Sequence, residues 1–199
     1  MKKDREALTE QIDALLPQTQ CGLCGYNGCM PYAKAMVENQ ATIDLCLPGG
    51  TRVLTALGKL LQQDPTPFLL NMENKAKLPT RVIIRESECI GCAKCIQACP
   101  VDAILGSSKN MHTVIADECT GCELCIPVCP VDCMDVISLS TEQNTQEMAD
   151  HARQRYYARQ TRLHQKKVGK RQLIEKSIAE RKDYIRAALA RAKAKKLGV

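Results

Sequence analysis

The amino-acid sequence predicts an α+β chain in three parts. A small helical cysteine-rich domain comes first, then a domain of two repeated strand-and-loop units, then a basic helical tail. Three observations lead to this reading. The 199 residues include 13 cysteines, no Trp and one Phe, so sulfur chemistry rather than one large aromatic core must organise the fold. A segment from Glu88 to Ile104 recurs from Glu118 to Met134, with ten of 17 positions identical at an offset of 30 residues. Charge is also divided. Residues 1–140 hold 12 Lys and Arg against 16 Asp and Glu, whereas residues 141–199 hold 16 against 6. The net +6 therefore belongs to the tail, while every cysteine precedes residue 134.

Residues 3–16 carry Leu8, Ile12, Leu15 and Leu16 at helical spacing, and Pro17 ends that helix. Between Cys21 and Cys29, three cysteines and three glycines form a tight loop. Its glycines let backbone N–H groups approach whatever the thiols bind. Pro31 suits a first helical turn and predicts a short helix over 31–40. Pro48, Gly49 and Gly50 break the chain after Cys46. Helical periodicity resumes over 51–63 through Val53, Leu54, Leu57, Leu60 and Leu61. The first domain is thus read as 1–63. Residues 64–80, polar and punctuated by Pro65 and Pro67, read as a linker.

Residues 81–140 form the repeat domain. Each copy reads strand, cysteine loop, short helix, strand. Arg81–Ile84 and Ile104–Leu105 flank the first loop, and Thr113–Ile115 and Val136–Leu139 flank the second. A unit of roughly 30 residues buries little apolar surface alone, so the copies are expected to share one core. The tail, 141–199, predicts two helices near 143–166 and 171–197, separated at Gly169. Ile174, Ile178, Ile185 and Leu189 form a stripe on the second. Neither helix is apolar enough to stand as an independent domain.

No stretch approaches roughly 18 consecutive apolar residues, so no transmembrane helix is expected. The charged N-terminus leads into no signal-type apolar segment. A cytoplasmic location follows, in which an odd number of cysteines reads as metal ligands rather than disulfides.

The pattern C-x2-C-x2-C-x3-C-P occurs twice, at Cys89, Cys92, Cys95, Cys99 and Pro100, and at Cys119, Cys122, Cys125, Cys129 and Pro130. This is the bacterial two-cluster ferredoxin run, whose fourth cysteine ligates the other cluster. Three closely spaced cysteines sit in one turning loop, and the fourth is expected to begin a helix and face the other way. Cys89, Cys92, Cys95 and Cys129 are therefore assigned to one [4Fe–4S] cluster, and Cys99, Cys119, Cys122 and Cys125 to a second. Cys21, Cys24, Cys29 and Cys46 form a third set, whose spacing suits either a cluster or a structural zinc. The glycine-rich loop, the Cys46-Leu47-Pro48-Gly49-Gly50 setting and the two clusters already assigned favour a third cluster.

Other candidates carry less. Cys133 replaces Ala103 of the first repeat and reads as a small buried hydrophobe ahead of a spare ligand or redox thiol. His112 reads as a surface or packing residue, and His151 and His164 lie in basic helices without ligand neighbours. Asp102 and Asp132 follow each Cys-Pro-Val and read as capping or turning residues. The sequence shows no acid–base pair, activated nucleophile, Walker loop or dinucleotide-binding glycine motif. The chemistry left is one-electron transfer, with no substrate-converting site. In the tail, Lys166-Lys167, Lys170-Arg171 and Lys193 to Lys196 suit a solvated face, an acidic protein partner or a membrane surface. Nucleic acid ranks last, because Tyr156-Tyr157 makes no stacking platform. A nucleic-acid-binding protein with structural clusters is accordingly the lowest reading.

The stretch from Leu15 to Cys29, LLPQTQCGLCGYNGC, together with Cys46 to Gly50, Gly91 to Ile104 and Met111 to Val114, resembles the B subunit of the Rnf/Rsx electron transport complex. The resemblance covers about residues 8–139. It implies that Cys21, Cys24, Cys29 and Cys46 hold a third [4Fe–4S] cluster. It also implies a component that relays electrons within a membrane complex. That complex couples electron flow between ferredoxin and NAD to ion movement, or drives reduction of a redox-sensing regulator. Expected partners are redox proteins, including other Rnf/Rsx-type subunits. The expected place is the cytoplasm, or the cytoplasmic face of the inner membrane as a peripheral protein. Family members usually begin with a hydrophobic anchor, and here Met1 stands almost directly at the leading helix, so a form without the anchor is expected. The basic tail is not the family's usual ending. A free soluble polyferredoxin donating electrons to another redox enzyme is the alternative reading.

Overall fold

The computed structural model describes residues 2–139 and 145–196. The chain divides into two units, Met1–Tyr156 and Tyr157–Val199.

The first unit opens with helices α1 (Lys2–Leu15), α2 (Cys29–Val37), α3 (Gly50–Leu61) and α4 (Thr66–Lys75). Their apolar faces close on Ile12, Leu16, Tyr32, Ile43, Leu54 and Leu57, all fully buried. α2 starts at Cys29, earlier than expected, with Pro31 inside its first turn. The segment 64–80, read as a linker, contains α4. Phe68, Leu69 and Met72 pack that helix onto the same core. The prolines that suggested a break instead begin the helix, because a first-turn residue needs no N–H for an intrahelical bond. The Asp64 carboxylate accepts the Thr66 N–H at 3.0 Å and satisfies one end group.

The repeat domain follows. β1 (Thr80–Ile84) pairs antiparallel with β4 (Met134–Ser138), setting Val82 opposite Val136. β2 (Ile104–Leu105) pairs antiparallel with β3 (Thr113–Val114). The strand that opens the first copy therefore pairs with the strand that closes the second. Val82, Val101, Ala103, Ile104 and Met134 are buried between the copies.

Two expectations fail here. Only the first copy contains a helix, α5 (Lys94–Ala98). In the second copy Pro127 stands where Gln97 donates its N–H to the Ala93 carbonyl at 3.3 Å, and proline has no N–H to give. Cys99 also lies at the C-terminal cap of α5, not at the start of a helix.

The tail is one continuous helix, α6 (Gln146–Lys196), rather than two. Gly169 costs about 1 kcal/mol inside a helix, and the surrounding Gln, Lys, Arg, Leu and Glu residues carry it through. The expected start at 143 and end at 197 lie outside the described residues. The first turns of α6 belong to the first unit. Ala149 and Ala152 are buried, Arg153 pairs with Asp13 of α1, and Arg155 pairs with Glu118 at 2.9 Å. The second unit is the rest of the helix, with Leu173, Ile174, Ile178, Ile185 and Leu189 exposed among its lysines and arginines. Among the described residues, no helix is long and apolar enough to cross a membrane.

Candidate metal centres

Each predicted quartet lines one cavity. Cys21, Cys24, Cys29 and Cys46 surround the first, of about 290 Å³ counted out to its opening. Cys89, Cys92, Cys95 and Cys129 surround the second, of about 260 Å³. Cys99, Cys119, Cys122 and Cys125 surround the third, of about 320 Å³. The crossing follows from the strand pairing: β4 returns beside β1 and carries Cys129 to the loop of the first copy, while Cys99 leaves α5 toward the loop of the second.

Local backbone explains the loops. Gly91 and Gly121 sit at equivalent points of the repeat with φ of 67° and 65°, as do Ala93 and Glu123 at 58° and 60°. These left-handed residues fold the cysteine loops back on themselves. Gly121 must also be glycine for space, because a Cβ there would run into the Thr80 carbonyl of β1. Asp102 and Asp132 both turn the chain with positive φ. That turn brings the Ala103 N–H to 3.2 Å from the Cys99 sulfur.

The N-terminal loop rests on a buried ladder. The Gln18 amide donates to the Asp13 carbonyl at 2.7 Å, the Gln20 amide donates to the Gln18 side-chain oxygen at 2.8 Å, and the Gln20 oxygen accepts the Cys29 N–H at 2.9 Å. The Tyr32 hydroxyl donates to the Thr42 carbonyl at 2.7 Å and accepts the Leu45 N–H, which holds the segment carrying Cys46.

Burial raises the thiols of Cys24, Cys29, Cys95 and Cys99, and each neighbouring thiol adds to the rise. The same causes push Cys46 up to about 12, Cys122 to about 11 and Cys125 to about 12. Thiols so placed ionise together only when positive charge enters with them, so metal binding here releases protons. Cys129 is the exception. Burial works to raise it, but the N–H groups of Cys133, Val131 and Asp132 and the Cys133 thiol together hold it below the ordinary value.

Residues that sequence reasoning undervalued stand around these sites. His112 is 1 % exposed, with Nδ1 3.2 Å from the Cys95 sulfur. Cys133 is buried with its sulfur 3.6 Å from that of Cys129. The signal for both was their break with the repeat, where Val82 and Ala103 hold the equivalent positions. Gln18 and Gln20 left no pattern, since polar residues after a proline read as loop. His151 approaches Glu118, the chain neighbour of Cys119, and His164 lies on α6; neither lines a cavity of four thiols.

Four thiols per site, apolar walls and N–H groups aimed at sulfur fit iron–sulfur clusters, and the paired repeat sites define an iron–sulfur electron-transport protein of the dicluster kind. Residues 82–136 match a family model described as "4Fe-4S dicluster domain", and residues 16–48 match one described as "Putative Fe-S cluster". The chain is similar to the B subunit of the ion-translocating oxidoreductase complex of Shewanella loihica, 58 % identical over 139 residues, covering 70 % of this chain and 72 % of that one. The protein of the same name from Hahella chejuensis is 59 % identical over 136 residues, 68 % of each chain. That of Yersinia pestis is 54 % identical over 140 residues, 69 % of this chain and 73 % of the other. The chain belongs to this family, the B subunits of ion-translocating oxidoreductase (Rnf/Rsx) complexes.

Proposed function

We propose that the chain relays single electrons as a component of such a complex, using three [4Fe–4S] clusters. Cys21, Cys24, Cys29 and Cys46 would hold one. Cys89, Cys92, Cys95 and Cys129 would hold the second, and Cys99, Cys119, Cys122 and Cys125 the third. When bound, such clusters supply reversible one-electron chemistry without proton or group transfer.

The observation that carries this reading is that each of the three cysteine quartets lines a cavity of its own. For the N-terminal quartet a structural zinc is the alternative occupant. In this reading the N-terminal module runs through α4 and the dicluster module from β1 through β4. The chain's own contribution is to keep the modules close and dry. The Thr120 hydroxyl donates to the Thr19 carbonyl at 3.1 Å, which joins the loop of Cys21 to the loop of Cys119 and makes those two sites neighbours. Apolar walls exclude water, and the crossed cysteines tie both repeat copies to both sites. Partners would be other subunits of the complex, with the chain held peripherally at the membrane face. The basic stretch of α6 beyond Tyr156 would meet an anionic surface on one of them.

The test is metal content. Anaerobically prepared full-length protein should contain about twelve iron and about twelve acid-labile sulfide per chain, four of each per cluster. About eight iron with one zinc would remove the N-terminal cluster from the reading and leave the dicluster module standing.

A further inference from the structure

The two dicluster cavities have equivalent walls. An offset of 30 residues carries Val101 onto Val131, Ile104 onto Met134, and Ile84 onto Val114. Two wall positions that break this equivalence place a hydrogen-bond donor beside a ligand sulfur of the same site. His112 stands where the twin site has Val82, and Cys133 where it has Ala103. The reverse change, Thr120 for Ile90, brings a hydroxyl beside the Cys122 thiol of the twin site, but a hydroxyl has one proton, and here it goes to the Thr19 carbonyl at 3.1 Å. Glu123, also at the twin site, is paired with Lys77 at 2.9 Å.

We propose that His112 and Cys133 give the site of Cys89, Cys92, Cys95 and Cys129 a higher reduction potential than its twin. The inference rests on the reading that both sites hold [4Fe–4S] clusters. A metal-bound thiolate only accepts hydrogen bonds. The 3.2 Å approach of Nδ1 to the Cys95 sulfur therefore puts the imidazole proton on Nδ1, and the Cys133 thiol donates to Cys129. The ring is held in place. The His112 N–H lies 3.4 Å from the Cys89 sulfur, and Gly106 leaves the ring the space that a Cβ would take. Nε2 is buried with no hydrogen-bond partner among the described residues, so the sulfur is the ring's polar contact. An added electron increases negative charge on the sulfurs, and donors to those sulfurs stabilise the reduced form. One electron shared between the two sites then resides at the His112 site and leaves the twin oxidised, with no proton moved and no bond changed. His112 and Cys133 are positioning residues that give the dicluster module a direction.

The test uses the full-length chain prepared anaerobically, with reduction followed by EPR during a redox titration. Wild type should show two distinct midpoints. His112→Val, which copies the twin site, should lower the upper one by about tenfold in the reduction equilibrium, about 59 mV for a one-electron couple. Cys133→Ala should lower it by less, since S–H is a weak donor. His112→Asn keeps an N–H near the place of Nδ1 and should restore most of the shift. The lower midpoint should stay in place throughout. In wild type labelled with 15N-histidine, the upper centre should show a nitrogen hyperfine coupling that His112→Asn removes. The proposal is overturned by equal wild-type midpoints, by an unchanged upper midpoint in iron-replete His112→Val, or by absence of the 15N coupling. If His112→Val fails to retain iron, the labelled wild type decides. A wild-type module that assembles fewer than two clusters would overturn the proposed function itself, a result that iron analysis separates from the others.

Discussion

Replacing Arg153 with Met should unlock the helical module from the first turns of α6. Arg153 reaches from α6 to α1, where its Nε lies 2.8 Å from the Asp13 carboxylate and its second N–H group donates to the Asp13 carbonyl at 2.9 Å. The Asp13 side chain is only 4 % exposed, against 19 % for Arg153, and its other oxygen, Oδ1, already lacks a hydrogen-bond partner. Met keeps the apolar stem and removes the charged fork. Breaking a buried ion pair from one side costs about 3–5 kcal/mol. Water reaches Arg153 in part, which lowers the expectation to roughly 2–4 kcal/mol. At about 2–4 °C per kcal/mol for a chain of this size, Tm should fall by roughly 4–16 °C. The assay is thermal unfolding of anaerobically prepared full-length protein. Adding Asp13→Asn to Arg153→Met should recover about 1 kcal/mol or more, because an unpaired amide is cheaper to bury than an unpaired carboxylate. A Tm for Arg153→Met within about 2 °C of wild type, with no coupling to Asp13→Asn, would refute the reasoning.

Three further outcomes follow from the same structure. Cys99→Ala should remove the EPR signal of the site completed by Cys119, Cys122 and Cys125, and Cys129→Ala that of the site completed by Cys89, Cys92 and Cys95. Cys133→Ala should keep both, so a cluster lost there but not in Cys129→Ala would show the second repeat to be read in the wrong register. Gly121→Ala should destabilise the fold by about 2 kcal/mol or more in urea unfolding, from left-handed strain together with the clash on β1. Gly25→Ala, with φ of 84° but open space around it, should cost only about 1 kcal/mol, and equal losses would remove the clash from the account. A chain ending at Tyr156 should keep full iron and sulfide, whereas one ending at Leu139 should lose stability with the α6 contacts. The shorter tail should slow reduction of an anionic partner at low salt and match full length once the Debye length falls to about 3 Å. Equal rates at every ionic strength would leave the basic helix no part in docking.

The cysteine quartets that line the three cavities were legible in the sequence because their grouping is written largely in local spacing. Cys-x2-Cys-x2-Cys places three thiols in one turn wherever the loop lies, and the repeat offset exposes itself by identity of type. Helical periodicity located α1 and α3, and Pro31 located α2, to within a few residues, and Ile12, Tyr32 and Leu57 of these helices face one core. Punctuation misled twice. Pro65 and Pro67 open a helix because the first turn has no use for their N–H, and Gly169 does not end α6 because its neighbours favour helix strongly enough. Pro127 had the opposite effect, removing from the second copy an N–H that the short helix of the first copy uses.

Other features depend on distances between residues far apart in the chain, and no periodicity encodes these. The pairing of β1 with β4 brings Cys129 beside Cys89. Asp13 meets Arg153 across 140 residues, which makes the start of the basic tail part of the body. His112 in sequence is a lone histidine between two repeats. Only the fold brings its ring against Cys95 and leaves Nε2 without a hydrogen-bond partner among the described residues, because a hydrogen bond to sulfur depends on approach in space and not on order along the chain.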